Sequence, residues 1–132
     1  MTYSYKPLAR KNLKTGANQF YPAPASSAVS NIEQVADEIS ARCTLTRADV
    51  VGVLKVLEEQ IERALLEGYT VRLGHLGSFR LTTKAESVDD KNDVSTALVV
   101  QARVRYVPSV WIKQKMQPKK INFKLVKTAS HD

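Results

Sequence analysis

The fold of this chain is decided by residues 71–80, which have the sequence VRLGHLGSFR. Two strand patterns flank a short connection that contains Gly74 and Gly77. Because glycine reaches positive φ without the steric penalty of a Cβ atom, these two residues allow the chain to reverse while Leu76 and Phe79 point inward. We therefore predict a tight connection between two strands, directly after a long helical segment.

The strand that leaves this connection carries its cations at alternate positions. Period-two spacing places Arg80 and Lys84 on one face. A second, valine-rich strand pattern over residues 97–107 likewise places Arg103 and Arg105 on one face. If the two strands are neighbours, the four side chains form a cationic surface about as wide as a DNA minor groove. The alternative is the solvated outer face of an amphipathic sheet.

Two helical patterns precede this region, and each begins with a candidate capping box. Ser30 is followed three residues later by Glu33, and Thr46 is followed at the same spacing by Asp49. Apolar residues then recur at helical spacing, and Gly68 stands where a C′ glycine would end the second helix. Because only a very short connection separates the two patterns, we predict an antiparallel helix pair.

Residues 85–95 form an acidic, polar segment that we expect to be the exposed tip of a projecting element. A calcium loop is the alternative interpretation, but the segment lacks the glycine and the distal glutamate of an EF-hand. The acidic residues are Glu86, Asp89, Asp90 and Asp93.

Both ends of the chain have strand character. Residues 1–25 place aromatic residues on either side of a Gly/Asn segment, which predicts a loose hairpin ended by Pro22 and Pro24. A disordered basic tail is the alternative for this segment. Residues 121–127 alternate apolar and polar side chains, which predicts a terminal strand.

A short helix is predicted from about Ser109 to Met116, because Pro108 breaks the preceding strand. We expect Trp111 and Ile112 to face inward, and Met116 with them. For Trp111 the inward side is the core or a dimer interface, and a base-stacking role is the alternative. Two further residues receive a structural interpretation: His75 is a turn residue and Cys43 is a small buried hydrophobe.

The composition excludes several classes of protein. Of the 132 residues, 43% are hydrophobic, which is enough for a core, yet no apolar run approaches membrane-spanning length and residues 1–25 lack the apolar region of a signal peptide. One cysteine excludes an internal disulfide and a Cys-rich zinc site. No catalytic triad, phosphate loop or dinucleotide motif is present, so we expect neither an enzyme nor a cofactor.

The net charge of +7 comes from the two ends and the strand region. Residues 1–30 carry four basic and no acidic side chains, and residues 106–132 carry six against one, whereas residues 31–70 carry four against eight. Such a distribution suits a polyanionic partner, because each phosphate contact releases counterions. The alternative is a basic protein whose charge serves solubility alone.

The order of these elements resembles the HU/IHF family of bacterial DNA-bending proteins. The resemblance rests on residues 71–73, on LGSF at residues 76–79, which is similar to the family's Gly-Phe-Gly-Thr-Phe-like turn, and on RYVPS at residues 105–109, which is similar to its Phe-Lys-Pro-Gly-like segment before the last helix. It implies an α+β, HU/IHF-like fold with an N-terminal helix pair, a β-sheet with a projecting two-stranded arm, a short C-terminal helix and extra terminal strands.

The resemblance also implies a division of the chain. Residues 30–117 correspond to the HU-like DNA-binding domain, residues 1–29 form an extended N-terminal extension and linker, and residues 118–132 form a basic C-terminal strand and tail. A chain extended in this way looks like the longer HU-like proteins of Bacteroidetes-type bacteria.

By this resemblance we expect a homodimer that binds double-stranded DNA without sequence specificity, as a nucleoid-associated protein of the cytoplasm with no membrane or small-molecule partner. Family members wedge an apolar residue of the arm tip between base pairs. Residues 85–97 contain no proline and no arginine, so we expect weak bending. The alternatives are an HU-fold interaction module that has lost strong DNA binding, and RNA binding. The candidate DNA-binding residues are Arg80, Lys84, Arg103, Arg105, Lys113, Lys115, Lys119 and Lys120.

Overall fold

The computed structural model describes residues 1–26 and 28–126 and shows a mixed α+β chain. Ser27, in the expected linker, and Lys127, at the end of the predicted terminal strand, lie outside the described residues. Within the described part, the chain has no helix that is both long enough and apolar enough to cross a membrane.

The chain divides into two compact units. The first unit joins the two ends of the chain, taking the described parts of Met1–Ser30 and Lys115–Asp132. The second unit comprises Asn31–Gln114. Each unit has its own three-stranded sheet.

The sheet of the first unit has the strand order β2–β1–β6. Strand β1 (Tyr3–Lys11) pairs antiparallel with β2 (Asn18–Pro24), and β6 (Phe123–Leu125) pairs parallel with the start of β1. The backbone N–H of Tyr3 donates to the carbonyl oxygen of Asn122 at 2.8 Å. The predicted N-terminal hairpin is confirmed, and its outer edge is completed by the end of the same chain. We call this β-sheet the terminal sheet.

Of the two prolines expected to end the hairpin, Pro24 is the last residue of β2, as predicted, but Pro22 lies inside the strand. Pro22 and Pro24 both belong to β2, and Pro22 stands opposite Pro7 of β1. Because β2 is an edge strand, it has backbone positions that need no ladder partner, and proline is tolerated at such positions.

In the second unit, α1 (Ile32–Ser40) begins one residue later than predicted. Its N-cap is Asn31, whose side chain accepts from the N–H of Gln34 at 2.9 Å, while the Gln34 side chain accepts from the N–H of Asn31 at 3.0 Å. The predicted box of Ser30 and Glu33 is therefore wrong. Both pairs have the same spacing, and Asn and Ser are equally good N-caps, so the sequence pattern fits either frame.

Helix α2 (Arg47–Leu66) has the predicted ends. Thr46 and Asp49 form a reciprocal capping box. At the other end Gly68 has φ of 84°, and the N–H groups of Gly68 and Tyr69 donate to carbonyl oxygens of the last helical turn. This arrangement is a Schellman motif, which requires a residue that tolerates positive φ.

The two helices pack against each other, and the few fully covered side chains of this unit lie on them. Ala36, Val50 and Leu65 are buried. An ion pair between Arg47 and Asp37, with Nε and Oδ1 2.9 Å apart, also links the helices. Cys43 is exposed, so its interpretation as a buried hydrophobe is wrong. It lies in the connection between the helices, where no neighbouring element covers it.

The sheet of the second unit has the order β3–β4–β5 and is antiparallel throughout. Its strands are β3 (Val71–Arg72), β4 (Gly77–Ala85) and β5 (Val99–Pro108), and a single 3-10 turn over Gly74–Leu76 joins the first two. The predicted tight connection is confirmed, but Leu76, which was expected to point inward, is 57% exposed, whereas Phe79 is half-buried. Helix α3 (Val110–Lys115) follows β5 directly.

Two side chains near α3 are more exposed than expected. Trp111 is 44% exposed and Met116 is 61% exposed, whereas Ile112 is half-buried. Met116 is therefore not inward as expected, and Trp111 is not buried within the chain, so its placement at a dimer interface stays a prediction. A helix of six residues makes fewer than two turns, so the surface beneath it covers only part of its apolar side chains.

Candidate nucleic-acid interface

The start of β4 is fixed by a close approach to β5. Gly77 has φ of 126°, and a Cβ atom at this position would lie 2.9 Å from the Cα of Pro108 and closer still to the Val107 carbonyl oxygen. Only glycine fits both the conformation and the space. The N–H of Leu73 donates to the Gly77 carbonyl at 2.9 Å and closes the turn. The close packing of Gly77 therefore fixes the position at which β4 begins to pair with β5.

The four strand cations share one face of the β4–β5 pair. Arg80 lies opposite Arg105, and Thr82, which lies opposite Arg103, donates its hydroxyl to the Arg103 carbonyl oxygen at 3.4 Å. Lys84 lies opposite Gln101 and is the last regular position, because the register shifts between Lys84 and Ala85. We call Arg80, Lys84, Arg103 and Arg105 the cationic strand face.

This face has no acidic residue on its own strands. All four cations are exposed, and β4 and β5 contain no aspartate or glutamate. The neutral members of the face, Thr82 and Gln101, can donate and accept hydrogen bonds without offsetting the charge. The face can therefore attract an anion over the length of both strands.

The opposite face of the same strand pair is apolar. Phe79 and Tyr106 are cross-strand partners with ring centroids 5.2 Å apart, and Leu81 lies opposite Val104. The Tyr106 hydroxyl also donates to the carbonyl oxygen of Leu76 in the turn. These contacts lie on the face opposite the four cations, so the two faces of the strand pair differ in chemistry.

The start of α3 is tied to the turn that precedes β4. The Ser109 hydroxyl accepts from the N–H of Ile112 at 3.2 Å and donates to the carbonyl oxygen of His75. The His75 ring stacks on Trp111 with centroids 4.8 Å apart and an interplanar angle of 26°. His75 is thus a turn residue, as interpreted from the sequence, with a partner that the sequence did not indicate.

The four C-terminal candidate lysines are divided between the units. Lys113, in α3, belongs to the unit that carries the cationic strand face, whereas Lys115, Lys119 and Lys120 belong to the first unit. Lys119 and Lys120 are exposed and lie in a 3-10 turn that directly precedes β6. Of these four, only Lys113 shares a unit with the cationic strand face.

The acidic segment between β4 and β5 is exposed, as predicted. The N–H of Glu86 donates to the carbonyl of Leu98 at 2.9 Å and closes its base, and the Asp90 side chain accepts from the N–H of Asn92 at 3.0 Å. Among the described residues, no group of three or more His, Cys, Asp or Glu side chains is arranged to hold a metal ion. We call residues 86–98 the acidic tip.

One feature of this surface was not accessible from the sequence. Alternation predicted each pair of cations correctly, but it gave no indication that Arg80 and Arg105 would meet at one cross-strand position. That relationship depends on the register between two strands separated by the acidic tip, and no local signal encodes it.

The comparisons with known proteins agree with this geometry. A family model described as "HU domain fused to wHTH, Ig, or Glycine-rich motif" matches residues 1–124. Among solved structures, the chain is similar to a "Putative bacterial DNA binding protein" from Bacteroides vulgatus ATCC 8482, with a TM-score of 0.62 and 13% sequence identity. The match covers 95% of this chain but 48% of that one, so this chain spans about half the length of its structural relative. Among curated proteins, none is significantly similar in sequence to this chain.

Proposed function

The chain belongs to the family of HU domains fused to further modules, and from that premise we propose that it binds double-stranded DNA through the cationic strand face. The observation that carries the proposal is the placement of Arg80, Lys84, Arg103 and Arg105 on one exposed face with no acid on either strand. The presence of that face in a chain of this family favours DNA over solubility as the reason for the charge.

The expected mode of binding is electrostatic and insensitive to sequence. Arginine and lysine side chains on this face would contact phosphates and release condensed counterions, which supplies affinity without reading base edges. The neutral side chains between them, Thr82 and Gln101, are too few to specify an extended site. The protein would therefore act as an architectural, non-enzymatic component associated with the nucleoid.

Strong bending is not part of this proposal. The acidic tip carries four carboxylates and contains no proline. Carboxylates at the end of the strand pair are repelled by phosphates, and bending by side-chain insertion requires an apolar wedge at that end. We propose that the strand pair lies along the duplex while the acidic tip points away from it.

A homodimer is the second part of the proposal, and α2 supports it. Val53 is 60% exposed and Val56 is 63% exposed, three residues apart on the same helix, and Leu57 beside them is also exposed. A helix that leaves such residues uncovered requires a partner, because apolar patches of this kind mark interfaces. We propose that a second copy of the chain covers them.

The C-terminal lysines have a subordinate role in this proposal. Lys113 lies in α3, in the same unit as the cationic strand face, and is proposed as a further phosphate contact. Lys115, Lys119 and Lys120 are proposed as further phosphate contacts contributed by the other unit.

The acidic tip supports a second candidate function. An exposed segment with four carboxylates fits a basic protein partner better than it fits DNA, so the fold could serve as an interaction module. This alternative predicts capture of a protein by a chain that fails to bind duplex DNA. RNA binding is the remaining alternative and would appear as a preference for A-form or single-stranded ligand.

The test is a salt-titrated gel shift on a duplex of mixed sequence. We expect log affinity to fall linearly with log salt concentration, and the double variant Arg103→Glu/Arg105→Glu to reduce the slope by about 2, since each phosphate contact contributes about 0.9. The matched control is Arg42→Glu/Lys55→Glu, which makes the same change in charge at two exposed positions, one in the connection between the helices and one in α2. Salt-insensitive binding, or equal effects of the two double variants, would contradict the proposal.

A further inference from the structure

The net positive charge of the chain is carried by the unit that contains the terminal sheet. Residues 31–114, which include the cationic strand face, contain 11 basic and 12 acidic residues, a net charge of −1. The described residues of the other unit contain eight basic and no acidic residues. Long-range attraction of a polyanion therefore depends mainly on the first unit.

The register of the terminal sheet gives its two faces different chemistry. Ser4 of β1 lies beside Lys124 of β6, and Lys6, two residues further along β1, points to the same face. Arg10, again on β1, shares this face as well. The opposite face carries most of the aromatic side chains of the unit, namely Tyr3, Tyr5, Phe20 and Phe123.

One cation of this face is held in place. The guanidinium carbon of Arg10 lies 5.3 Å from the centre of the Tyr21 ring, at a diagonal position on the same face. A cation held against an aromatic ring loses less conformational freedom when it meets an anion. Lys6 and Arg10 are four residues apart on one strand, a distance of about 13 Å at the usual rise per residue. That distance corresponds to the rise of about four base pairs along the axis of a DNA duplex.

We propose that Lys6, Arg10 and Lys124, the terminal cation row, form a second surface that contacts the phosphates of duplex DNA. The inference rests on the proposed function for the identity of the ligand. It adds that the terminal sheet supplies an independent share of the electrostatic affinity. Charge complementarity identifies the ligand of this surface. Three exposed cations, on a unit without acidic residues among its described positions, fit a phosphate backbone.

The experiment compares three double variants of the full chain in the same salt-titrated gel shift. Lys6→Gln/Lys124→Gln removes two charges from the terminal cation row and leaves the contact between Arg10 and Tyr21 intact. Lys11→Gln/Lys14→Gln removes two lysines from the same unit at the far end of β1 and in the hairpin turn, so its net charge is matched. Arg103→Gln/Arg105→Gln reports on the cationic strand face. Circular dichroism of each variant verifies that the fold is retained.

We expect Lys6→Gln/Lys124→Gln to lower the salt slope by about 2, at about 0.9 per lost phosphate contact, while Lys11→Gln/Lys14→Gln leaves the slope unchanged. Equal effects of these two variants, or no effect of the first, would overturn the inference and leave the proposed function standing. A different result would refute binding through the cationic strand face and leave this inference standing. In that result, Arg103→Gln/Arg105→Gln has no effect and Lys6→Gln/Lys124→Gln lowers the slope. If Lys6→Gln/Lys124→Gln loses binding to an RNA duplex but not to DNA, the ligand of the terminal cation row is RNA.

Discussion

Arg80 lies directly opposite Arg105 in the antiparallel pair of β4 and β5. Residues in this relationship have Cβ atoms about 4.5–5.5 Å apart, and like charges placed there are destabilising. Neither strand contains an acid that could relieve the repulsion. In our proposal a phosphate backbone provides that relief, so the face lowers the stability of the free protein and favours the bound state.

This relationship predicts opposite effects on stability and binding. Arg105→Glu creates an attractive pair with Arg80, and we expect it to raise the free energy of unfolding by about 0.2–1 kcal/mol while weakening duplex binding. Urea denaturation at constant m-value measures the first effect and a gel shift measures the second.

The control for this prediction is Arg103→Glu, which faces the neutral Thr82. It should weaken binding to a similar extent with a smaller gain in stability, because its cationic neighbours Arg80 and Lys84 lie only at diagonal positions. An equal gain in stability for both variants would show that the repulsion between Arg80 and Arg105 has no special role.

The glycine at the start of β4 is predicted to be irreplaceable. Gly77→Ala places a Cβ atom against the backbone of Val107 and Pro108 at a positive φ, so we expect destabilisation by more than about 2 kcal/mol. Gly68→Ala also has a positive φ but open space around the added atom, and it should cost only about 1 kcal/mol. Thermal denaturation of both variants measures the difference, and similar costs would argue against the close approach of the strands.

The start of α1 can be located by two alanine substitutions. Asn31→Ala removes both the cap acceptor and the reciprocal box with Gln34, and we expect it to cost about 0.5–2 kcal/mol. Ser30→Ala lies outside the helix and should change stability by less than about 0.5 kcal/mol. If chemical denaturation gives the reverse order, the capping frame predicted from the sequence is the correct one.

The proposed homodimer predicts that a charge introduced on the exposed apolar face of α2 separates the two copies. Val56→Asp would place a charge in the contact between the two copies, so we expect the mass measured by light scattering to fall from that of a dimer to that of a monomer. Lys55→Asp introduces the same residue at the neighbouring exposed position and should leave the dimer intact. A wild-type chain that is monomeric at micromolar concentration would refute this part of the proposal.

Local sequence patterns were sufficient to predict the features that depend on neighbouring residues. The reciprocal box at Thr46 and the glycine stop at Gly68 were correctly placed, because caps are formed by side chains within three or four residues of the backbone they satisfy. Alternation also placed the cations of β4 together and those of β5 together, because successive side chains of a strand point to opposite faces.

Which of these features come into contact depends on the folded arrangement of distant segments. The opposition of Arg80 and Arg105 depends on a register set by the fit of Gly77 against β5, since a connection as long as the acidic tip does not fix a register. The parallel pairing of β1 with β6 joins segments from opposite ends of the chain, and no local pattern encodes such a contact. The exposure of Cys43 and Trp111 could not be predicted from the sequence either. Burial depends on which other residues the fold places around a side chain, and not on the side chain itself.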